Sequence, residues 1–289
     1  MRTTIDDVVR LRMTDPGAIA AALAARPRFG GVSSEKNLLV IAADHPARGA
    51  LGAGGNPLAM ADRRDLLDRV VTALGRPGVQ GLLGTADIIE ELALLGALDG
   101  KFVLGSMNRG GLAGTVFELD DRFTGYDARG IAQAGLDGGK MLLRIDPDDR
   151  GSASTLRACA AAIDDLAERQ LIALVEPFMT RRAHGRVRNR LTPGAMIRSI
   201  AVTSGLGRTS AYTWLKLPVV DEMERVMAAS TMPALILGGE VPTDTDAAMA
   251  SWARALSLPT VKGLVIGRSL LYPIGDDVAK AVDDAVSLL

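Results

Sequence analysis

The stretch Leu38-Leu-Val-Ile-Ala-Ala-Asp-His-Pro-Ala-Arg-Gly49 decides the fold. Its first six residues are apolar without alternation, the pattern of a strand buried on both faces in a helix-covered parallel sheet. The residues that follow discriminate between the two folds built that way. An open doubly wound sheet carries a glycine-rich dinucleotide turn after its first strand, and Asp44-His-Pro-Ala-Arg-Gly49 lacks that spacing. A closed (β/α)8 barrel instead places its reactive polar residues at the C-terminal ends of strands, where Asp44 and His45 stand.

Working outward, further apolar runs recur at Val79–Gly84, Phe102–Ser106, Lys140–Ile145, Leu171–Glu176, Thr213–Leu217, Ala234–Leu237 and Gly263–Ile266. Helical spacing fills the intervals at Arg63–Leu74, Ala86–Leu95, Thr155–Arg169, Pro193–Ser204, Glu222–Ala229 and Asp246–Leu256. One more helix is predicted near Ile5–Ala25 and a last one over Asp277–Leu288. Eight strand–helix units in 289 residues predict a single α/β domain, a TIM barrel. It would comprise a helical extension over 1–37, the barrel core over 38–273 and a C-terminal helix over 274–289.

Composition removes several function classes. No apolar run reaches the roughly 18–20 residues of a membrane helix, and Met1-Arg-Thr-Thr-Ile-Asp-Asp7 lacks an apolar signal core. A cytoplasmic enzyme without a membrane partner is expected. Formal net charge is −1, so no global field favours nucleic acid. The single cysteine, Cys159, sits in an alanine-rich helical run and reads as a buried filler. His45 and His184 are the only histidines, and without metal-ligand spacing no metal site or other cofactor is expected. The 33 basic residues include only six lysines, Lys36, Lys101, Lys140, Lys216, Lys262 and Lys280. Where arginine is the default cation, a lysine inside an apolar strand implies a need for an amine.

Lys216 meets that description, flanked by Leu215 and Leu217 and followed by Pro218. Burying an ammonium is costly unless it is paired or neutralised, and a neutral amine is a carbonyl nucleophile. The alternative is a lysine paired with a core carboxylate. Strand alternation puts Lys140, Leu142 and Arg144 on one face, making Lys140 the second cation. Asp44 and Glu176, at the ends of the first and fifth strands, are the carboxylates at the right level. They could hold the lysines, transfer protons, or do both. After strands seven and eight, Gly238-Gly239-Glu240 and Gly267-Arg268-Ser269 form the turns with which barrels often bind phosphate. Arg268 could add a bidentate contact. Asn108 and Arg109 end strand three and open a long loop to Tyr126 that reads as a lid. A second loop, 178–190, holds Arg181, Arg182, Arg186, Arg188 and Arg190. It reads either as a solvated face or as a second anion site.

Taken in order, these residues resemble the class I aldolases of the deoxyribose-phosphate and tagatose-bisphosphate aldolase superfamily. The likeness spans Leu38 to Pro273 and is nearest the tagatose-bisphosphate and sulfofructose-phosphate type. It is carried by Asp44, by Gly135-Leu-Asp-Gly-Gly-Lys140, by Glu176, by Trp214-Leu-Lys216-Leu-Pro218 and by Ile266-Gly-Arg268. The resemblance implies a lyase of carbohydrate metabolism acting on a ketose phosphate or sugar-acid phosphate, with dihydroxyacetone phosphate as one product. Lys216 would be the Schiff-base residue and Glu176 the acid/base; from their strand-end positions, Gly238, Gly239, Gly267, Arg268, Arg144 and Arg109 are expected to bind the substrate and its phosphate. Two departures stand out: Gly-Gly-Glu240 replaces the second lysine of deoxyribose-phosphate aldolase in strand seven, and the strand-one motif is Asp-His-Pro-Ala-Arg-Gly. A sugar-phosphate isomerase without a covalent adduct and a catalytically inactive binding barrel are the rival readings. Barrels of this kind often form homo-oligomers, but no interface motif is evident.

Overall fold

Eight parallel strands close into a barrel in the computed structural model, which describes residues 3–33 and 37–289. The strands are β1 (Leu38–Ala42), β2 (Gly81–Gly84), β3 (Phe102–Ser106), β4 (Gly138–Ile145) and β5 (Ile172–Ala183). After β6 (Arg186–Asn189), which lies outside the ring, come β7 (Thr213–Pro218), β8 (Ala234–Leu237) and β9 (Val261–Ile266). Closure is made by β9 against β1, with Leu38 opposite Gly263 and Ile41 opposite Ile266. On the far side β4 and β5 pair over eight positions, from Gly138–Ile172 to Ile145–Met179. The expected fold is therefore the observed one.

Successive strand residues point to opposite faces, and both faces are apolar here for different reasons. Leu38, Val40 and Ala42 join Leu83, Phe102, Leu104, Leu174, Leu235 and Val265 inside the barrel. Leu39 and Ile41 point outward into the layer shared with the helices. That outer layer is supplied by amphipathic helices such as α3 (Arg63–Leu74), which buries Leu66, Leu67, Val70, Ala73 and Leu74 at three- and four-residue spacing. Its start is fixed by Asp62, whose carboxylate accepts from the amides of Arg64 and Asp65.

The N-terminal segment forms two helices, not the one expected over Ile5–Ala25. They are α1 (Ile5–Thr14), with a Thr4–Asp7 capping box, and α2 (Gly17–Ala25). Pro16 separates them because it lacks the amide a continuous helix needs. Lys36 and residues 1–2 and 34–35 of the expected extension lie outside the described residues. Below the strands, Arg26 donates to the carbonyls of Lys101 at 3.3 Å and Gly135 at 2.7 Å. Phe29 stacks edge-on against Phe102, with ring centroids 5.6 Å apart. Together they close the N-terminal end of the barrel.

The loop expected at 178–190 is largely a hairpin. β5 runs past Glu176 to Ala183 and pairs antiparallel with β6, from Thr180–Asn189 to Ala183–Arg186. Its two-residue turn, His184-Gly185, has φ of 50° and 73°, the double positive φ of a type I′ turn. Among the described residues no helix is long and apolar enough to cross a membrane.

Candidate active site

A cavity of about 540 Å³ opens at the C-terminal ends of the strands and is lined from nearly every side of the barrel. Lys140, Leu142 and Arg144 of β4 face it, while Met141, Leu143 and Ile145 join the outer core. The alternation read from the sequence thus places Lys140 and Arg144 as expected. Lys216, from the middle of β7, and Glu176, from β5, reach the same cavity.

The two lysines converge on one oxygen. Glu176 Oε2 lies 2.6 Å from Lys140 Nζ and 3.3 Å from Lys216 Nζ. Both lysines are nearly inaccessible, at 2% and 4% relative exposure. Asp44, just beyond β1, contacts Lys140 at 3.4 Å, accepts from Ser106 Oγ at 3.1 Å and is ion-paired with Arg109. Arg109 in turn donates through Nε to Ser106 at 2.8 Å. Five ionisable groups therefore share one largely buried site, three bases against two carboxyls.

That imbalance has electrostatic consequences. Burial is the main cause holding the Lys216 amine below the ordinary lysine value; Glu176 opposes this, and Arg109 and Arg268 reinforce it. Lys140 is pushed well below the ordinary lysine value, first by burial and then by Lys216 and Arg109, again against Glu176. Burial alone would raise the Glu176 carboxyl, but Lys140 and then Lys216 outweigh it and hold it below the usual carboxylate range. Making one lysine neutral would balance the site. Burial and its neighbours push Lys140 further down than Lys216, which taken alone would make Lys140 the neutral amine. The contacts argue the reverse: among the described residues Lys140 touches two carboxylates and Lys216 one, and the lysine with two counter-ions is the better placed to keep its proton.

The remaining expected ligands are all present at the cavity, but several are already engaged. Arg144 is ion-paired with the Glu118 carboxylate and also donates to the Glu118 carbonyl at 2.8 Å. Arg268 holds Glu240 at 2.7 Å. Gly238, Gly239 and Gly267 line the cavity beside it. Gly267 has no room for a side chain: an added Cβ would press on the Ala42 carbonyl and come within 2.9 Å of His45 Cε1. The arginine-rich hairpin divides. Arg188 faces the cavity, whereas Arg182 donates to the Val116 carbonyl at 3.1 Å and the other arginines are exposed.

Sequence reasoning missed the groups that fasten the 107–126 loop. Arg48 lies buried, 2.5 Å from Asp121, and donates to the carbonyls of Gly111 at 2.6 Å and Asn108 at 2.8 Å. Only the placement of the loop beside the strand-one turn reveals these partners. Cys159 is fully buried, and burial pushes its thiol up, in keeping with a filler role.

Fold and site together define a class: a (β/α)8 barrel with a glutamate-bridged lysine pair buried at its C-terminal mouth. Within that class, the chain belongs to the Cgl0159-like family, which matches residues 36–286. The crystal structure of Cgl0159 from Corynebacterium glutamicum is 51% identical, covers 98% of this chain and 95% of its own, and has a TM-score of 0.96. A Schiff base forming fructose-1,6-bisphosphate aldolase is 15% identical over 93% of this chain and 99% of its own, with a TM-score of 0.64. An archaeal fructose 1,6-bisphosphate aldolase is also 15% identical, covering 93% and 98%, with a TM-score of 0.64. At that identity the likeness is one of fold. Both are fructose-bisphosphate enzymes, not the tagatose-bisphosphate or sulfofructose-phosphate type. No curated protein matches the sequence.

Proposed function

We propose that this barrel is a class I aldolase, a lyase that cleaves or forms a ketose phosphate through a Schiff base on Lys216. The observation that carries the proposal is the convergence of two buried lysines on one Glu176 oxygen, at 2.6 and 3.3 Å. In this reading the two carboxylate contacts of Lys140, with Glu176 and Asp44, outweigh its burial and keep it protonated, which disfavours a second ammonium on Lys216. The neutral Lys216 amine adds to the substrate ketone carbon, and the carbonyl oxygen takes up a proton to give a carbinolamine. Glu176, with Asp44, supplies and removes the protons as water leaves and the iminium forms. In cleavage, the hydroxyl proton on the far carbon passes to the carboxylate and the carbon–carbon bond breaks. Its electron pair moves into the iminium, leaving an enamine and a free aldehyde. Protonation of the enamine and hydrolysis then release the ketone half.

The backbone amides at Gly238, Gly239, Gly267 and Arg268 suit the phosphate of a dihydroxyacetone-phosphate half, with Arg268 exchanging Glu240 for the anion. Arg144 and Arg109 order the opposite wall, where a phosphate or carboxylate at the far end of the substrate would lie. The test is borohydride reduction in the presence of dihydroxyacetone phosphate, with intact-mass and peptide mass spectrometry. A reduced adduct on Lys216 is expected. An adduct confined to Lys140 would overturn the assignment, and no adduct with dihydroxyacetone phosphate or a panel of ketose phosphates would overturn the Schiff base.

A further inference from the structure

His45 lines the cavity among the catalytic groups, and the reaction above leaves it without a task. Its ring keeps 24% of its surface open, yet Nδ1 is sealed from solvent and has no hydrogen-bond partner among the described residues. That nitrogen faces Asp44 Oδ1 at 3.9 Å, too far for a hydrogen bond but aimed at a carboxylate. Sealing Nδ1 leaves the Nε2 edge as the one open to the cavity. The Cε1 corner abuts Gly267, where only a glycine fits, so the ring is held against the turn that leads into Arg268.

The charged groups facing His45 come from five elements: Asp44 after β1, Lys140 on β4, Glu176 on β5, Lys216 on β7 and Arg268 after β9. Burial first, and then Arg268, Lys216 and Lys140, hold the imidazole well below its ordinary value and therefore neutral in the empty site. A neutral ring with one nitrogen sealed and unpaired is a poor resting arrangement. It becomes a satisfied one when a second anion arrives on the other side.

We propose that His45 completes the phosphate site and takes up a proton when a phosphate group binds, so that the imidazolium bridges the phosphate and Asp44. In that state Nε2–H donates to a phosphate oxygen, while Nδ1–H forms an ion pair with Asp44 Oδ1 across the present 3.9 Å, a gap that a small shift of either side chain closes to a hydrogen bond. The proton comes from solvent, and no bond other than these hydrogen bonds changes. The inference rests on the phosphate assignment made above, but not on the Schiff base. The affinity for a given ionisation state of phosphate then falls with rising pH, about tenfold per unit over the range in which the free ring is neutral and the bound ring charged.

With only two histidines, His45 and His184, the experiment is a carbon-edited NMR titration of the imidazole Cε1–H signals, assigned with His184→Gln. Inorganic phosphate is the probe. Without it, the His45 signal should stay at its neutral position between about pH 6 and 8. At saturation it should move to the imidazolium position, with His184 unaffected. Calorimetry in buffers of different ionisation enthalpy should report a proton uptake per phosphate that is greater by close to one in the wild type than in His45→Gln, the ionisation of the phosphate itself being common to both. A His45 signal unmoved at saturation, or unchanged proton uptake in His45→Gln, overturns the proposal. So does absence of phosphate binding, and the borohydride adduct on Lys216 then decides the aldolase reading separately.

Discussion

Replacing Lys140 with methionine tests the electrostatic core of the proposed mechanism. The two lysine nitrogens touch one Glu176 oxygen at 2.6 and 3.3 Å, so they are separated by at most the sum of those contacts, about 6 Å. At an effective dielectric of about 20, two unit charges at that distance repel by roughly 2.8 kcal/mol, equivalent to about two pKa units. Methionine fills similar space without charge, so the substitution removes that repulsion and leaves Glu176 to Lys216 alone. Both changes favour the Lys216 ammonium. Its pKa rises, and the neutral amine becomes scarcer at every pH below the new value. The rate of borohydride trapping with dihydroxyacetone phosphate, followed against pH, should keep its shape but move about two units toward alkali. At neutral pH it should then be roughly a hundredfold slower, recovering in base. A profile that stays within half a unit of the wild type, or moves toward acid, would refute the role given to Lys140.

Lys216→Ala should bring turnover below a few per cent while leaving circular dichroism and thermal unfolding essentially unchanged; greater residual activity would sink the covalent role. Glu176→Leu leaves two buried amines without their shared partner, and should cost about 3–5 kcal/mol in denaturant unfolding. Arg48→Ala strips Asp121 and two loop carbonyls of their donor, and should release the 107–126 segment. Limited proteolysis should then cut within that loop under conditions where the wild type stays whole. Cys159, fully buried with its thiol pushed up by burial, should react with a thiol reagent only after unfolding.

The barrel was legible because its strands are apolar on both faces, a pattern that few other folds require. Lys140 and Lys216 were legible for a related reason: a charge inside such a run must be paired or neutralised, and either outcome marks a site. The hairpin was not recognised because the charged run from Arg181 to Arg190 hides the alternation of an exposed strand. The His184-Gly185 turn was the available signal, since a residue-plus-glycine pair at φ > 0 joins two strands tightly. The pairing of Arg144 with Glu118, of Arg48 with Asp121 and of Arg109 with Asp44 could not be read at all. Each joins a strand or strand-end residue to a loop or turn from elsewhere in the chain, and charge alone does not choose among many carboxylates. For that reason the arginines expected to await substrate are found with partners already in place.

Closure of the lower end by Arg26, Phe29 and Phe102 gives the interior a single doorway. For a molecule anchored at Lys216 and split in two, the fragment nearer the mouth must leave before the deeper one. A second fragment added in the reverse direction must wait for the deeper berth to be filled. Steady-state inhibition patterns for such an enzyme should accordingly be those of an ordered mechanism. The order would be set by the bond to Lys216, which keeps one fragment in place until its enamine is protonated and hydrolysed, with the packed interior below denying any other way out.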